Sequence, residues 1–238
     1  MDTRIGRFSG INTSVKMKDM ESCVQYSVSN VDVTRKCLTM YVGNKYAPGG
    51  YLWIFPKGEK FANIGIGISG KYSKHKSAQK YLDEFMEREY PDAAILTTMC
   101  GGVPCSKPLE KPISDKLMLV GDAAHTVNPM TGGGIVPGMR SGLLAAETAV
   151  SILKSKQSPT KKRLQKYEKE WYKIGGKNHE KFYRIKESIF RFEDKDLNQI
   201  ADGIADIPEH KRSLLKLFSI AVSKKPSLLF DVARLFTG

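Results

Sequence analysis

The sequence predicts an α+β fold, and three observations in chain order carry that prediction. Apolar and polar residues alternate in short runs through the first third of the chain, as they do in half-buried strands. A glycine-rich connection then joins a short strand to a helix. From about residue 160 onward the apolar residues follow helical spacing. We therefore divide the chain into segments 1–110, 111–158 and 159–238.

The first segment is predicted to form an antiparallel sheet. Short connections with turn residues at 48–50 and 57–59 favour neighbouring antiparallel strands, with one polar and one apolar face. The predicted strands are 23–28, 38–42, 51–55 and 61–68. A helix is predicted to follow at 73–89, before Pro91, and a Gly/Pro-rich connection after it.

The middle segment is predicted to hold one short strand at 116–120, a glycine-rich loop and a helix at 135–154. Long helices follow, with a kink or break at Gly175 and Gly176. One strand feeding one helix cannot make a doubly wound sheet, which needs several βα units. We therefore expect that a segment which would precede residue 1 completes this part of the fold.

Composition excludes several classes of protein. The chain is 41% hydrophobic and 26% charged, as globular proteins are, and no run approaches the roughly 18 apolar residues of a membrane span. The N-terminus lacks the apolar stretch of a secretory signal, so a cytoplasmic location is expected. The four cysteines are expected to be reduced and buried. Neither they nor the four histidines have the spacing of a zinc site, so no metal is expected.

A net charge of +13 favours anionic partners, although lysine-rich solvated helix faces would explain it equally well. The basic clusters are short and no nucleic-acid motif accompanies them, so no nucleic acid is expected. An anionic membrane surface is a candidate partner, because apolar positions near the C-terminus lie beside Lys224, Lys225 and Arg234; a helix packed on the body of the protein is the alternative.

The glycine-rich loop carries the strongest chemical signal. Asp122 follows Gly121 at the carboxyl end of a strand, where a carboxylate can accept hydrogen bonds from ribose hydroxyls. Gly132, Gly133 and Gly134 let the backbone approach a flat ring, and the next helix directs its N–H groups and positive dipole end toward it. The alternative is a loop needed for packing alone, which three glycines in a row make entropically costly.

This stretch resembles the GD motif of FAD-dependent oxidoreductases related to hydroxybenzoate hydroxylase. The resemblance implies FAD as the cofactor. By that resemblance Gly121 and Asp122 lie at the ribose and the pyrophosphate side of FAD. Pro129 and the glycines at 132–134 then border the isoalloxazine ring. His125 follows the motif and is a conceivable acid, but a satisfied structural histidine is the favoured interpretation.

A second motif lies on the predicted strand 51–55. Tyr51, Trp53 and Phe55 alternate, so their rings share one face and form a wall suited to a hydrocarbon chain. An aromatic stripe in an ordinary core is the alternative. With Pro56 and the glycines Gly65 and Gly67, the strand resembles the YxWxFP…GxG signature of geranylgeranyl reductases, which implies that these residues bind substrate.

The resemblance to archaeal geranylgeranyl and digeranylgeranylglycerophospholipid reductases extends over nearly the whole chain. It implies a truncated hydroxybenzoate-hydroxylase-like fold, made of a substrate-binding sheet, the GD strand-loop-helix of an FAD-binding domain and a helical C-terminal region. It also implies FAD-dependent reduction of C=C bonds in geranylgeranyl chains of archaeal membrane phospholipids, peripheral to the membrane. An N-terminal FAD-binding segment or subunit is expected to be required, and no catalytic residue is identified.

Two alternatives stay open at this point. A non-catalytic lipid-binding peripheral protein would need no flavin. A related flavin monooxygenase would share the GD motif but not the aromatic strand.

Overall fold

A computed structural model describes residues 4–205, 207–208, 219–220 and 222–224. It contains helices and an antiparallel sheet, so the α+β prediction is confirmed. The chain forms two compact units, each drawn from non-consecutive stretches. The loop unit comprises Met1–Cys23, Ser69–Lys74 and Met99–Tyr183, and the sheet unit comprises Val24–Ile68, His75–Thr98 and Arg184–Gly238. The division into three consecutive domains stays a prediction.

Five strands form one sheet in the order β2-β3-β4-β1-β5. They are β1 (Met20–Ser29), β2 (Thr39–Val42), β3 (Tyr51–Gly58), β4 (Phe61–Ser69) and β5 (Ala94–Pro104). The pairs β2–β3 and β3–β4 are antiparallel, and the four predicted strands are confirmed. The prediction of an irregular connection at β5 was wrong. Its glycines and proline read as strand breakers, but an edge strand tolerates both residue types.

The sheet-unit core lies on one face of the sheet. Leu52 and Ile54 of β3 and the isoleucines of β4 are buried there, under helix α2 (Ala78–Glu89). Burying each such side chain contributes roughly 1.5–3 kcal/mol. The helix begins five residues later than predicted, because the Ser77 hydroxyl accepts a hydrogen bond from the Lys80 N–H and caps the helix.

Between residues 4 and 205 the remaining α-helices are α1 (Arg4–Phe8), α3 (Ile135–Lys154), α4 (Lys161–Trp171), α5 (Lys177–Ile189) and α6 (Asp194–Ala205). The prediction for α3 is confirmed at both ends. Of the kink or break predicted at Gly175 and Gly176, the break was wrong, because a π-helical turn at Tyr172–Gly176 joins α4 to α5 without interruption. The Trp171 ring lies over Gly175, where an added Cβ would be 2.8 Å from its Cη2 atom. These glycines therefore make room for an aromatic ring.

Several sequence features fall outside the described residues. They are His210, Lys225, Arg234 and the apolar positions Leu228, Leu229, Val232, Leu235 and Phe236. Within the described ranges, no helix has the length and apolar character needed to cross a membrane. None of the four cysteines forms a disulfide, and Cys37 and Cys100 are exposed, so the expectation that they are buried was wrong for these two.

Candidate functional site

The aromatic strand presents its rings on the sheet face opposite the core. Tyr51, Trp53 and Phe55 are each half-buried, whereas Leu52 and Ile54 between them are buried. The Tyr51 and Trp53 rings meet edge to face at 5.8 Å between centroids, and the Trp53 and Phe55 rings stack at 6.1 Å. Because the core lies on the other face, an ordinary core stripe does not describe these rings.

A glycine of β4 fixes the position of the central ring. Trp53 and Gly65 are paired across β3 and β4, and the indole lies directly over Gly65. A Cβ added to Gly65 would be 2.6 Å from the indole Cε2 atom, closer than side-chain contacts allow. The indole N–H then donates to the Gln25 side chain on β1 at 3.0 Å, so the ring crosses β4 and its polar atom is satisfied.

The rest of this face is apolar on the β2 side of the sheet and polar on the β1 side. Met40 and Val42 of β2, paired with Trp53 and Tyr51, are exposed at one side. Gly67, paired with Tyr51, adds no side chain to the centre. On the far side the Ser27 hydroxyl donates to the Asn63 side chain at 3.0 Å.

We refer to this surface as the aromatic face. Its members are Met40, Val42, Tyr51, Trp53, Phe55, Gly65 and Gly67 with the polar Gln25, Ser27 and Asn63. Pro56, also half-buried, lies at its end, where the β3–β4 register shifts.

In the loop unit, a tight turn follows the short strand β7 (Leu117–Met118), which pairs with β6 (Ile113–Ser114). Residues Gly121–Ala124 form a single 3₁₀ turn. Gly121 adopts φ +59°, a left-handed conformation that favours glycine. The turn carries the Asp122 side chain to a half-exposed position.

The second part of the loop is closed by Asn128. Its side-chain oxygen accepts from the N–H groups of Met130 and Thr131, at 3.0 and 3.3 Å, and its backbone bonds to Gly132 and Gly133. Gly132 has φ +68°. Gly133 is exposed, whereas Pro129 is buried, so the loop presents bare glycine backbone to solvent.

Asp122 lies at the N-terminus of α3. A Cβ on Gly134, the residue that precedes the helix, would be 3.2 Å from a carboxylate oxygen of Asp122. No side chain caps this helix, and Pro137 has no N–H, so Ile135 and Val136 carry the free amide groups of the first turn. Within the described chain, no donor reaches the Asp122 carboxylate. The site combines a free acceptor with an uncapped helix end, which suits a ligand bearing hydroxyls and developing negative charge.

Three polar residues that each fix a part of one of these sites were missed from the sequence. Fully buried Ser141 accepts from the Gly121 N–H at 3.1 Å and donates to the Gly138 carbonyl at 2.9 Å, which ties the turn to α3. Gln25 and Asn128 act similarly on Trp53 and on the glycine loop. Only the role of Ser141 could have been predicted, because a serine within a helix often donates a hydrogen bond to a carbonyl one turn earlier, here that of Gly138.

His125 is a structural histidine. It is buried, and both ring nitrogens have hydrogen-bond partners: Nε2 lies 3.3 Å from the Thr13 carbonyl oxygen and Nδ1 lies 3.0 Å from the Ser106 hydroxyl oxygen. Burial lowers the pKa of His125, although hydrogen bonds to the Thr13 and Lys107 backbone act in the opposite direction. With both nitrogens engaged, it is not placed to donate a proton to a ligand.

Two solved structures have the same fold as this chain. A geranylgeranyl bacteriochlorophyll reductase-like protein from Thermoplasma acidophilum matches with a TM-score of 0.86 at 31% identity, over 97% of this chain and 58% of that one. A flavin-dependent brominase matches with a TM-score of 0.61 at 16% identity, over 97% of this chain and 59% of its own. The predicted fold, that of geranylgeranyl reductase-like and flavin-dependent halogenase structures, is confirmed.

Proteins related in sequence identify the family of flavoproteins that this chain resembles. The profile of the geranylgeranyl reductase catalytic domain matches residues 19–103. Digeranylgeranylglycerophospholipid reductase 1 from Methanococcoides burtonii is 40% identical over 100% of this chain, and the reductase from Methanocella arvoryzae is 36% identical over 99%. The chain spans 58% and 60% of their lengths. It is thus related over its whole length to archaeal digeranylgeranylglycerophospholipid reductases, and the predicted resemblance is confirmed.

Proposed function

We propose that this chain supplies the lipid-binding face and part of the FAD site of an enzyme that reduces C=C bonds in geranylgeranyl chains of archaeal membrane glycerophospholipids. The aromatic face is the observation that carries the proposal. Its rings are half-buried among the described residues, it lies opposite the core, and the Trp53 ring is fixed on it by Gly65 and Gln25. The matched relatives are named for reduction of this class of lipid.

The aromatic face suits a polyunsaturated hydrocarbon chain. An isolated C=C bond has no charge or strong dipole, so a protein holds it by apolar burial and close packing. Tyr51, Trp53 and Phe55 offer three rings in contact with one another, and Gly65 and Gly67 keep the surface beside them free of side chains. The Ser27 hydroxyl donates to the Asn63 side-chain oxygen, so this pair is hydrogen-bonded at the edge of the rings.

The glycine loop fits FAD. Asp122 has an uncommitted carboxylate for ribose hydroxyls, and Gly132–Gly134 leave space for a planar ring. The Ile135 and Val136 amides at the end of α3 stabilise negative charge on that ring. When bound, reduced FAD supplies the hydride. These residues bind and orient it, and His125 is committed to the fold.

A further FAD-binding segment, in the same polypeptide or a separate one, is part of the proposal. The described residues offer contacts for ribose and ring, but no glycine-rich pyrophosphate loop opens a helix among them. The Gly65–Gly70 stretch that formally matches such a loop runs along β4 and ends in a turn. The net charge of +13 supports a peripheral position on an anionic membrane surface.

Flavin oxidation by substrate tests this proposal. The chain is co-purified with the part of the Methanococcoides burtonii reductase that it does not match, loaded with FAD and reduced anaerobically with dithionite. Adding a digeranylgeranylglycerophospholipid should return the absorbance of oxidised flavin, and a fully saturated analogue should not. Equal reoxidation by both lipids would reject the reductase assignment.

A non-catalytic lipid-binding protein is the second candidate, because the aromatic face alone would serve it. That candidate needs no flavin, so lipid binding by a complex that retains no flavin would favour it.

A further inference from the structure

The outer side of α4, α5 and the π-helical turn between them carries a row of exposed lysines. They recur at intervals of three and four residues, which places them on one side of a helix that turns once in about 3.6 residues. The opposite side is buried and includes Leu164, Tyr167 and Trp171. We refer to this row as the lysine ridge, which consists of Lys162, Lys166, Lys169, Lys173, Lys177 and Lys181.

The π-helical turn at Tyr172–Gly176 keeps the lysine ridge in line. Residues four apart drift slowly around an α-helix, because each turn holds fewer than four residues. A π-helical turn holds more residues, since its hydrogen bonds close on the fifth residue, and it therefore offsets the drift. The buried side shows the same phase, because the rings of Trp171 and His179 meet edge to face at 5.8 Å between centroids across the turn.

Carboxylates lie off the lysine ridge. The stretch 161–181 contains three glutamates, all half-buried, which are Glu168, Glu170 and Glu180. Within the part of the chain that the structure describes, no ridge lysine forms an ion pair, whereas cations such as Arg35 and Lys76 lie against carboxylates. The ridge is therefore a line of uncompensated positive charge.

Repulsion within the lysine ridge destabilises the helices that carry it. Like charges four residues apart disfavour a helix, and Lys169, Lys173 and Lys177 form a continuous series with this spacing. A helix face that is only solvated typically alternates charges of both signs. A negatively charged surface against the ridge offsets the repulsion, so the pattern indicates an anionic partner.

The composition and length of the ridge favour a membrane surface over a nucleic acid. Lysine ammonium groups are compact, hydrated charges, and groups of four to eight basic residues are typical of surfaces that bind anionic lipids. Nucleic-acid surfaces commonly add arginines for bidentate contacts or aromatic rings that stack on bases, and the ridge contains neither. From Lys162 to Lys181 the ridge extends about 28 Å at 1.5 Å per residue, which lets it contact several headgroups at once.

We infer that the lysine ridge is the surface by which this chain docks on the anionic phospholipid headgroups of a membrane. The inference rests on the proposed function, because a substrate held in a bilayer requires the enzyme to approach that bilayer. It adds the surface that makes the contact, which the net charge of +13 does not locate. The ridge binds by charge, and the aromatic face holds the isoprenoid chain.

Vesicle sedimentation of the purified chain tests the lysine ridge. Vesicles of phosphatidylglycerol and phosphatidylcholine contain no isoprenoid chain, so they report docking separately from substrate recognition. The ridge variant combines Lys166→Gln, Lys169→Gln, Lys173→Gln and Lys177→Gln. Its affinity for these vesicles at low salt should fall at least tenfold, since each lysine near an anionic surface contributes on the order of fivefold.

A matched control removes the same number of charges from other exposed lysines. It combines Lys36→Gln, Lys57→Gln, Lys74→Gln and Lys80→Gln. The control should lose no more than about threefold, because charges away from the contact are screened by salt. Arginine at the four ridge positions should retain wild-type binding. The glutamine ridge variant should unfold at the wild-type temperature or above, since it relieves repulsion, and this separates lost docking from misfolding.

Equal losses in the ridge variant and the matched control would overturn the inference, because charge would then act through the whole chain. Equal binding of wild type to neutral and anionic vesicles would also overturn it. Displacement by inorganic phosphate, but not by chloride at the same ionic strength, would assign the ridge to free phosphate. Tighter binding to duplex DNA than to vesicles would assign it to nucleic acid. A chain that docks through the ridge but reduces no lipid would refute the proposed function alone.

Discussion

Trp53 and Gly65 face each other across β3 and β4, and the indole of Trp53 passes over the bare Cα of Gly65 to reach Gln25 on β1. Gly65 does not have a positive φ, so it is required for space and not for an unusual backbone conformation. The aromatic and glycine parts of the motif are thereby explained by one contact. The indole thus has a fixed position over Gly65 and stays half-buried.

Replacing Gly65 with alanine should displace the indole. The added methyl would overlap the ring, and overpacking of this kind costs roughly 1–3 kcal/mol of unfolding free energy. Chemical denaturation measures the loss, and tryptophan fluorescence reports the ring. Gly101→Ala is the matched control, because no atom lies within 4 Å of its added Cβ. Equal stability of Gly65→Ala and the control would show that the ring is free to move.

Replacing Trp53 with alanine should weaken binding of geranylgeranyl lipid. Loss of a large apolar contact removes about 1–3 kcal/mol of binding free energy, or roughly 5- to 150-fold in Kd. Fluorescent-lipid displacement measures the Kd on folded protein. Tyr81→Ala removes an aromatic ring that packs against the core side of the sheet, and it should leave the Kd unchanged. A similar loss of lipid affinity in both variants would show that Trp53 has a structural role and does not contact the lipid.

The free energy of unfolding should fall as the pH is lowered below about 6.5. Burial lowers the pKa of His179 from 6.5, so the unfolded chain binds its proton more readily than the folded chain. The stabilisation is complete above the unfolded pKa and is lost as the pH falls toward the lower folded pKa. His179→Phe keeps a ring beside Trp171 and should reduce this dependence to the part contributed by buried His125, whereas exposed His75→Gln should leave it unchanged. If the free energy of unfolding depends on pH identically in wild type and His179→Phe, the lowered pKa of His179 is contradicted.

Binding to lipid vesicles should depend on charge. With a net charge of +13, the chain should sediment with vesicles containing anionic phospholipid several-fold more than with neutral ones at low salt. The difference should shrink at high salt, because counter-ions screen exposed charges. Equal binding to both kinds of vesicle at low salt would remove the electrostatic contribution and leave only apolar attachment.

Local patterns were sufficient for much of the fold. Alternation placed β3 and β4, and the glycine loop followed by apolar helical spacing placed both ends of α3. The edge strand β5 could not be predicted from local sequence, because its pairing with β1 outweighs the low strand propensity of its glycines and proline. Likewise, the π-helical turn depends on the Trp171 ring over Gly175, a packing contact that no propensity encodes.

The residues of the candidate site also fall into two groups, those that the sequence could predict and those that it could not. The aromatic residues and Asp122 were visible because each belongs to a spaced motif. Gln25 and Ser141 were not, because their contacts join residues 28 and 20 positions apart and depend on sheet register and helix placement. The burial of Pro129 likewise follows from how the Asn128 turn closes.

The most direct test of the central claim is mass spectrometry of the lipid product. The chain, co-purified with the unmatched part of the Methanococcoides burtonii reductase, is incubated with FAD, dithionite and a digeranylgeranylglycerophospholipid. We predict a gain of two hydrogens for each reduced C=C bond. Asp122→Ala should lose both bound FAD and this gain while unfolding as wild type does, whereas Asp115→Ala, a surface acid that bonds the Lys161 N–H, should retain both. A flavin-loaded wild-type complex that leaves the lipid mass unchanged would contradict the account.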